Sequence, residues 1–181
     1  MGYAGGEKLD PNYHDLGDQT ETVQVDYDPK KISYSQLLDF FWEAHDPGSR
    51  VWSRQYMNAV FYHNETQRQL AEQSKAALEK KSGRTVRSKI LPVNTFYMAE
   101  EYHQKYMLKG DSELSKEMTK IYPKSKDFIN STAVARLNGY VGGFGNKEQL
   151  GREIDSLGLS AHGRQRLEKQ VLGTREPILF N

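Results

Sequence analysis

The spacing of hydrophobic residues changes repeatedly along the first half of this 181-residue chain, and this feature most limits its possible folds. Residues 21–27 alternate between apolar and polar side chains, which predicts a half-buried strand. Residues 55–62 and 85–91 are predicted to form two further strands. Between the strands, the spacing predicts one helix after an N-cap at Ser33 and a second over residues 66–81. The order strand, helix, strand, helix, strand is typical of an α/β sandwich.

From about Ala99 onward the spacing of apolar residues becomes helical and stays helical. It predicts a helical tail of about 70 residues. We therefore divide the chain into a sandwich domain over residues 1–110 and a helical C-terminal extension over residues 111–181.

The chain contains no cysteine. Because thiol chemistry requires a thiolate, every cysteine mechanism, every disulfide and every Cys-ligated zinc site is excluded for this chain. The net charge of +1 argues against a polybasic nucleic-acid binder. No apolar run approaches the roughly 18 residues that span a bilayer. We expect no nucleic-acid partner, no membrane partner and, by default, a cytoplasmic protein.

Two classes of cofactor are not expected from the sequence. The spacing of His14, His45 and His103 matches no compact metal-ligand motif, so we expect no metal site. The chain has no Gly-x-Gly-x-x-Gly fingerprint for a nicotinamide or flavin. We therefore expect no cofactor.

Several short stretches gain meaning from their order and spacing, although each is weak alone. They are Gly2-Tyr3-Ala4-Gly5-Gly6, Asp10-Pro11-Asn12-Tyr13, Thr20-Glu21-Thr22-Val23, Tyr27-Asp28-Pro29 followed by Ile32-Ser33-Tyr34, Phe41-Trp42, His45-Asp46-Pro47, Ser53-Arg54-Gln55-Tyr56 and the run from Phe96 to Tyr106. Together, over roughly the first 108 residues, they resemble the A-type methionine sulfoxide reductases, also called peptide-methionine (S)-S-oxide reductases.

The resemblance implies a ferredoxin-like, split βαβ, α+β sandwich. It implies reduction of methionine-S-sulfoxide, free or in proteins, as protein repair after oxidation, with electrons usually supplied by thioredoxin. In the family the nucleophile is the Cys of a Gly-Cys-Phe-Trp piece that precedes the Gly-Tyr-Ala-Gly-Gly stretch. We therefore expect a sandwich lacking its first strand, first helix and nucleophile, and inactive alone. Thioredoxin is expected as a partner only of a Cys-containing form.

The resemblance also assigns roles to four residues. Glu21 matches the acidic residue that protonates or hydrogen-bonds the sulfoxide oxygen, and Tyr13 and Tyr56 match two tyrosines that point at this oxygen. Tyr106 matches a tyrosine near the site and is expected to contact the substrate. Composition alone favours a solvated carboxylate and tyrosine rings packed with their hydroxyls in water.

A second hypothesis is a non-catalytic binding or scaffold module derived from the reductase fold. The DNA preceding the Met1 codon distinguishes the two hypotheses, because only a reductase gene should encode the missing piece. A sheet without its first strand and helix should also leave a gap or an exposed apolar cleft beside Val23 and Val25, unless the tail from Ser112 onward fills it.

Overall fold

A computed structural model describes residues 1–173 of the chain. The chain divides into two compact units, with the boundary between Glu100 and Glu101. All the strands found within residues 1–173 belong to the first unit, and over residues 101–173 the second unit holds only helices and turns.

The first unit contains two small sheets. Strands β1 (Gly2–Ala4), β2 (Thr20–Thr22) and β5 (Tyr97–Met98) form an antiparallel sheet in the order β2-β1-β5. Strands β3 (Ala59–Tyr62) and β4 (Lys89–Pro92) form a separate parallel pair. With its two helices this unit is an α+β structure, as the resemblance implied, rather than the all-parallel arrangement that an α/β pattern favours.

Each of the two helices of the first unit begins directly after a capping residue. Helix α1 (Tyr34–Glu43) is capped by Ser33, which forms a capping box with Gln36. Helix α2 (Glu65–Ser82) begins after Asn64, whose side chain accepts a hydrogen bond from the Gln67 backbone N–H. Both predicted helices are therefore confirmed. A small core joins them through four buried residues: Leu38, Trp42, Ala71 and Val86.

The predicted strands were too long. The strand expected over residues 21–27 is paired only over Thr20–Thr22, and residues 55–62 and 85–91 are strands only in their second halves. Alternation of side chains describes which face would be apolar, but a strand also needs a neighbouring backbone to bond with. Among the residues that the structure describes, no strand pairs with residues 23–27.

An open apolar cleft of about 560 Å³ lies beside the end of β2. Val23 and Val25 line it and are 64% and 58% exposed, respectively. Across the cleft, Phe40 comes from α1 and Phe61 from β3. The exposed cleft predicted beside Val23 and Val25 is therefore present in the first unit.

The second unit is a bundle of short helices around one apolar core. The core contains eleven buried side chains, including Leu108, Leu137 and Leu167. The helices are α3 (Tyr106–Gly110), α4 (Ser112–Ile121), α5 (Ser125–Asn130), α6 (Thr132–Val141), α7 (Lys147–Glu153) and α8 (Ala161–Gly173). The predicted helical tail is confirmed up to residue 173, and its expected continuation to residue 181 lies outside the described residues.

One buried carboxylate joins the two ends of this helical unit. Asp111 caps α4 by accepting a hydrogen bond from the Leu114 backbone N–H at 3.1 Å. The same carboxylate accepts from Arg166 Nε at 2.8 Å and from the Gln170 side-chain amide, both on α8. No helix within residues 1–173 has the length and apolar character needed to cross a membrane.

His45 predicts a pH dependence of the first unit's stability. Its Nδ1 lies 2.7 Å from the Phe41 carbonyl oxygen and its Nε2 lies 2.9 Å from Ser88 Oγ, so the neutral ring has a partner at both nitrogens. Burial lowers the pKa of His45 below its ordinary value. The unfolded chain therefore takes up the proton at higher pH than the folded chain does, and stability should fall as the pH drops below about 6.5.

Urea unfolding between about pH 7.5 and 5.5 measures this dependence. We expect the midpoint of the wild-type chain to fall as the pH decreases, and the fall to be smaller in His45→Gln. The matched control is His63→Gln, because His63 is exposed. Equal pH dependence in the wild type and His45→Gln would contradict the prediction.

Candidate active site

Glu21 lies in the middle of β2, directly opposite Tyr3 of β1. Its side chain is half-buried, and its Oε1 accepts a hydrogen bond from Gln55 Nε2 at 2.7 Å. The preceding residue, Thr20, is buried and its hydroxyl donates to the Arg54 carbonyl oxygen at 3.0 Å. These bonds fix the Glu21 carboxyl group beside the turn that contains residues 54–56.

Tyr56 ends that turn, a single 3₁₀ turn over Arg54–Tyr56, and is 54% exposed. The neighbouring Tyr13 phenol raises the pKa of Tyr56, and desolvation and the Glu21 carboxylate act in the same direction. Tyr13 and Tyr56 also share a side-chain hydrogen bond. The structure therefore brings Tyr13, Glu21 and Tyr56 together, and Tyr56 keeps its proton at neutral pH as a hydrogen-bond donor.

Tyr13 lies in the short loop closed by the Asn12–Asp15 bridge. Its backbone N–H donates to Glu100 Oε1 at 3.0 Å, and the hydroxyl of buried Tyr3 donates to Glu100 Oε2 at 2.7 Å. Glu100 thus holds the Tyr13 loop against the sheet. No role was predicted for Glu100 from the sequence, although Glu100 belongs to one of the stretches that carry the resemblance.

Arg54 ties the 3₁₀ turn to the rest of the sheet. Its Nη2 donates to the Gly5 carbonyl oxygen at 2.8 Å, and its Nε donates to the Asp18 carbonyl oxygen. The Asp18 carboxylate in turn accepts from the backbone N–H groups of Glu7 and Lys8 at 2.9 and 3.0 Å, and these bonds lower the pKa of Asp18. The loops around the three site residues are therefore cross-linked by hydrogen bonds.

Two glycines make this close packing possible. Gly5 has a φ of +87°, and a Cβ at this position would lie 2.4 Å from the Phe61 ring. A Cβ at Gly6 would lie 2.6 Å from the Asp18 backbone. Glycine is therefore required by geometry at both positions of the Gly-Tyr-Ala-Gly-Gly stretch that follow β1.

The fourth candidate residue, Tyr106, lies in the other compact unit. Tyr106 is the first residue of α3 in the second unit and is 68% exposed.

One carboxyl group and two phenols can offer protons or hydrogen bonds to a single oxygen acceptor on a ligand. None of these groups can supply the two electrons that reduce a sulfoxide, and the chain has no thiol. Among residues 1–173, no three or more histidine, aspartate, glutamate or cysteine side chains are grouped to hold a metal ion. The cluster can therefore bind and polarise an oxygen acceptor.

Comparison with known proteins identifies the class. The family model described as Peptide methionine sulfoxide reductase matches residues 1–137. A second model, described as Selenoprotein methionine sulfoxide reductase A, helical domain, matches residues 125–169. The chain belongs to the peptide methionine sulfoxide reductase family.

Individual relatives support the same family. A Peptide methionine sulfoxide reductase of Drosophila melanogaster is 39% identical over 168 residues, which cover 91% of this chain and 67% of the relative. Peptide methionine sulfoxide reductase MsrA of Methanosarcina acetivorans is 42% identical, covering 60% of this chain and 64% of the relative. The chain spans 67%, 57% and 46% of the length of three curated relatives that it matches.

Solved structures agree with the fold that the resemblance implied. The reduced form of Mxr1 from Saccharomyces cerevisiae has a TM-score of 0.57 and 32% identity, covering 61% of this chain and 69% of that chain. Methionine sulfoxide reductase A of Corynebacterium diphtheriae has a TM-score of 0.53 and 29% identity, covering 61% of this chain and 62% of that chain.

Proposed function

We propose that this chain provides the sulfoxide-binding part of a peptide-methionine (S)-S-oxide reductase, which repairs proteins after methionine oxidation. The observation that carries the proposal is the cluster of Glu21, Tyr13 and Tyr56 beside one sheet, in a chain of this family. A sulfoxide oxygen is a strong hydrogen-bond acceptor, and the cluster offers the donors that such an oxygen needs.

Each residue has a proposed role in the reaction. Glu21 protonates or hydrogen-bonds the sulfoxide oxygen, and the hydroxyls of Tyr13 and Tyr56 donate hydrogen bonds to the same oxygen. Tyr106 contributes to substrate binding. The substrate is methionine-S-sulfoxide, free or within a protein.

The electrons must come from a chalcogen nucleophile that residues 1–181 do not contain. In thiol chemistry one thiolate is oxidised to a sulfenic acid as the sulfoxide becomes a sulfide, and a second thiol then forms a disulfide and releases water. Thioredoxin is the proposed reductant of a Cys-containing form, and we place the protein in the cytoplasm. The non-catalytic module is not proposed, because the matching family models and relatives are described as reductases.

The DNA immediately before the Met1 codon tests the proposal. A reading frame that continues upstream through a Gly-Cys-Phe-Trp piece would support a reductase. The description of the second matching family model contains the word selenoprotein. An in-frame UGA codon at the cysteine position should therefore be read as selenocysteine. A frame that contains neither would contradict the proposal that the gene encodes a reductase.

Ligand binding tests the proposed site in the chain itself. We expect methionine-S-sulfoxide to bind in a titration followed by NMR, with chemical-shift changes at Glu21, Tyr13 and Tyr56. Methionine, which lacks the sulfoxide oxygen, is the matched control ligand and should bind more weakly. Equal binding of the two ligands would show that these residues do not recognise the sulfoxide oxygen.

A further inference from the structure

We propose that Gln55 is a positioning residue for Glu21, and that it determines which oxygen of this carboxyl group is available to a ligand. Gln55 lies between Arg54 and Tyr56 in the 3₁₀ turn, and its side-chain amide donates to Glu21 Oε1 at 2.7 Å. The inference rests on the proposed function of the site, and it adds a residue that contacts Glu21 rather than the substrate.

The amide and the carboxyl group are carried by backbone segments that are bonded to each other. The Thr20 hydroxyl, one residue before Glu21, donates to the carbonyl oxygen of Arg54, one residue before Gln55. Arg54 is itself held by the Gly5 carbonyl oxygen at 2.8 Å. Because both backbones are fixed, the side-chain bond between Gln55 and Glu21 sets the rotation of the carboxyl group.

The chemistry of the two groups gives this bond a consequence. The Gln55 Nε2 group can only donate hydrogen bonds, so Oε1 of Glu21 must act as an acceptor. When Glu21 carries a proton, that proton therefore belongs on Oε2, because a protonated oxygen is the poorer acceptor. A proton held at one known atom of a fixed carboxyl group is the arrangement that efficient proton donation requires.

The chain offers a matched control pair of the same two residue types. On the exposed surface of α2, Gln69 Nε2 donates to Glu65 Oε1 at 3.0 Å. This pair lies on a single helix turn outside the candidate site. The substitution Gln69→Leu therefore measures how the loss of a Gln–Glu hydrogen bond outside the site affects sulfoxide binding.

A double-mutant cycle on the full chain tests the inference, with free methionine-S-sulfoxide as the probe and its Kd measured by NMR titration. We expect Gln55→Leu to weaken binding about tenfold, and Glu21→Leu to weaken it at least as much. In the Glu21→Leu background, the further change Gln55→Leu should alter the Kd less than about twofold, because Gln55 acts only through Glu21. Gln69→Leu should leave the Kd unchanged.

Additive effects of the two changes would overturn the inference, because they would show that Gln55 acts independently of Glu21. An unchanged Kd in Gln55→Leu would also overturn it, and the proposed function would then still stand. If the wild-type chain binds no sulfoxide, the proposed function fails and the inference fails with it. If the amide NMR spectrum shows that Gln55→Leu is unfolded, Gln55→Met replaces it in the cycle. Methionine has a side chain of similar length with no N–H donor and no charge, and retained affinity in Gln55→Met would overturn the inference.

Discussion

Assayed alone with dithiothreitol and free methionine-S-sulfoxide, the 181-residue chain is expected to produce methionine no faster than a blank without protein. Reduction of a sulfoxide requires two electrons, and in this family's chemistry a chalcogen nucleophile provides them. Glu21, Tyr13 and Tyr56 can donate protons but cannot be oxidised by the sulfoxide under these conditions. Chromatographic measurement of methionine checks the prediction.

The positive control for this assay is a relative named as a reductase, Peptide methionine sulfoxide reductase MsrA of Methanosarcina acetivorans. It should turn over under the same conditions and so show that the substrate and the reductant are competent. Methionine formation by the present chain well above the blank would reveal an electron source other than a thiol and would require a different mechanism.

The second large effect is expected at Glu21. In a form of the protein that carries the Cys or selenocysteine nucleophile, Glu21→Gln should lower kcat/KM by about 100-fold or more, the usual scale for the loss of a general acid. Glutamine keeps the size of the side chain and its hydrogen-bonding ability, but it cannot release a proton. Steady-state kinetics of methionine formation measure this change.

The matched control for this substitution is Glu65→Gln, because Glu65 is an exposed carboxylate at the start of α2. The Glu65→Gln variant should have the same kcat/KM as the wild type. An unchanged rate in Glu21→Gln would remove Glu21 from the mechanism and leave it as a partner of Gln55 only.

Features that depend on neighbours in the sequence were predictable. Ser33 and Gln36 form a capping box across a single turn, so the start of α1 could be read directly from the residues. The predicted helix over residues 66–81 is likewise correct within one residue at each end, since its polar and apolar residues follow a helical spacing.

Strand bounds were less predictable because strands are made by partners that are distant in sequence. Strands β1 and β5 were not predicted, since three and two residues are too few to show an alternation. Residues 23–27 do alternate, yet no strand pairs with them among residues 1–173. The alternation of side chains in this segment is typical of a strand, but a strand also requires hydrogen bonds to a neighbouring backbone.

The candidate site also combines features that the sequence predicted with contacts between distant residues that it did not predict. Glu21, Tyr13 and Tyr56 were predicted through the resemblance, and the structure places them together. The supporting bonds of Gln55 and Glu100 could not be predicted, because each joins residues 34 to 97 positions apart and leaves no local signal. Their presence within the quoted stretches was the only available clue.

The bond between Asp111 and Arg166 has a consequence for how the helical unit is synthesised. The two residues are 55 positions apart, so the ribosome makes the carboxylate long before its partner. Until α8 emerges, the Asp111 carboxylate has neither Arg166 nor Gln170 to bond with, and the apolar core lacks Leu167. The nascent helices α4 to α7 should therefore remain loosely associated during translation, and the last helix made should complete the unit.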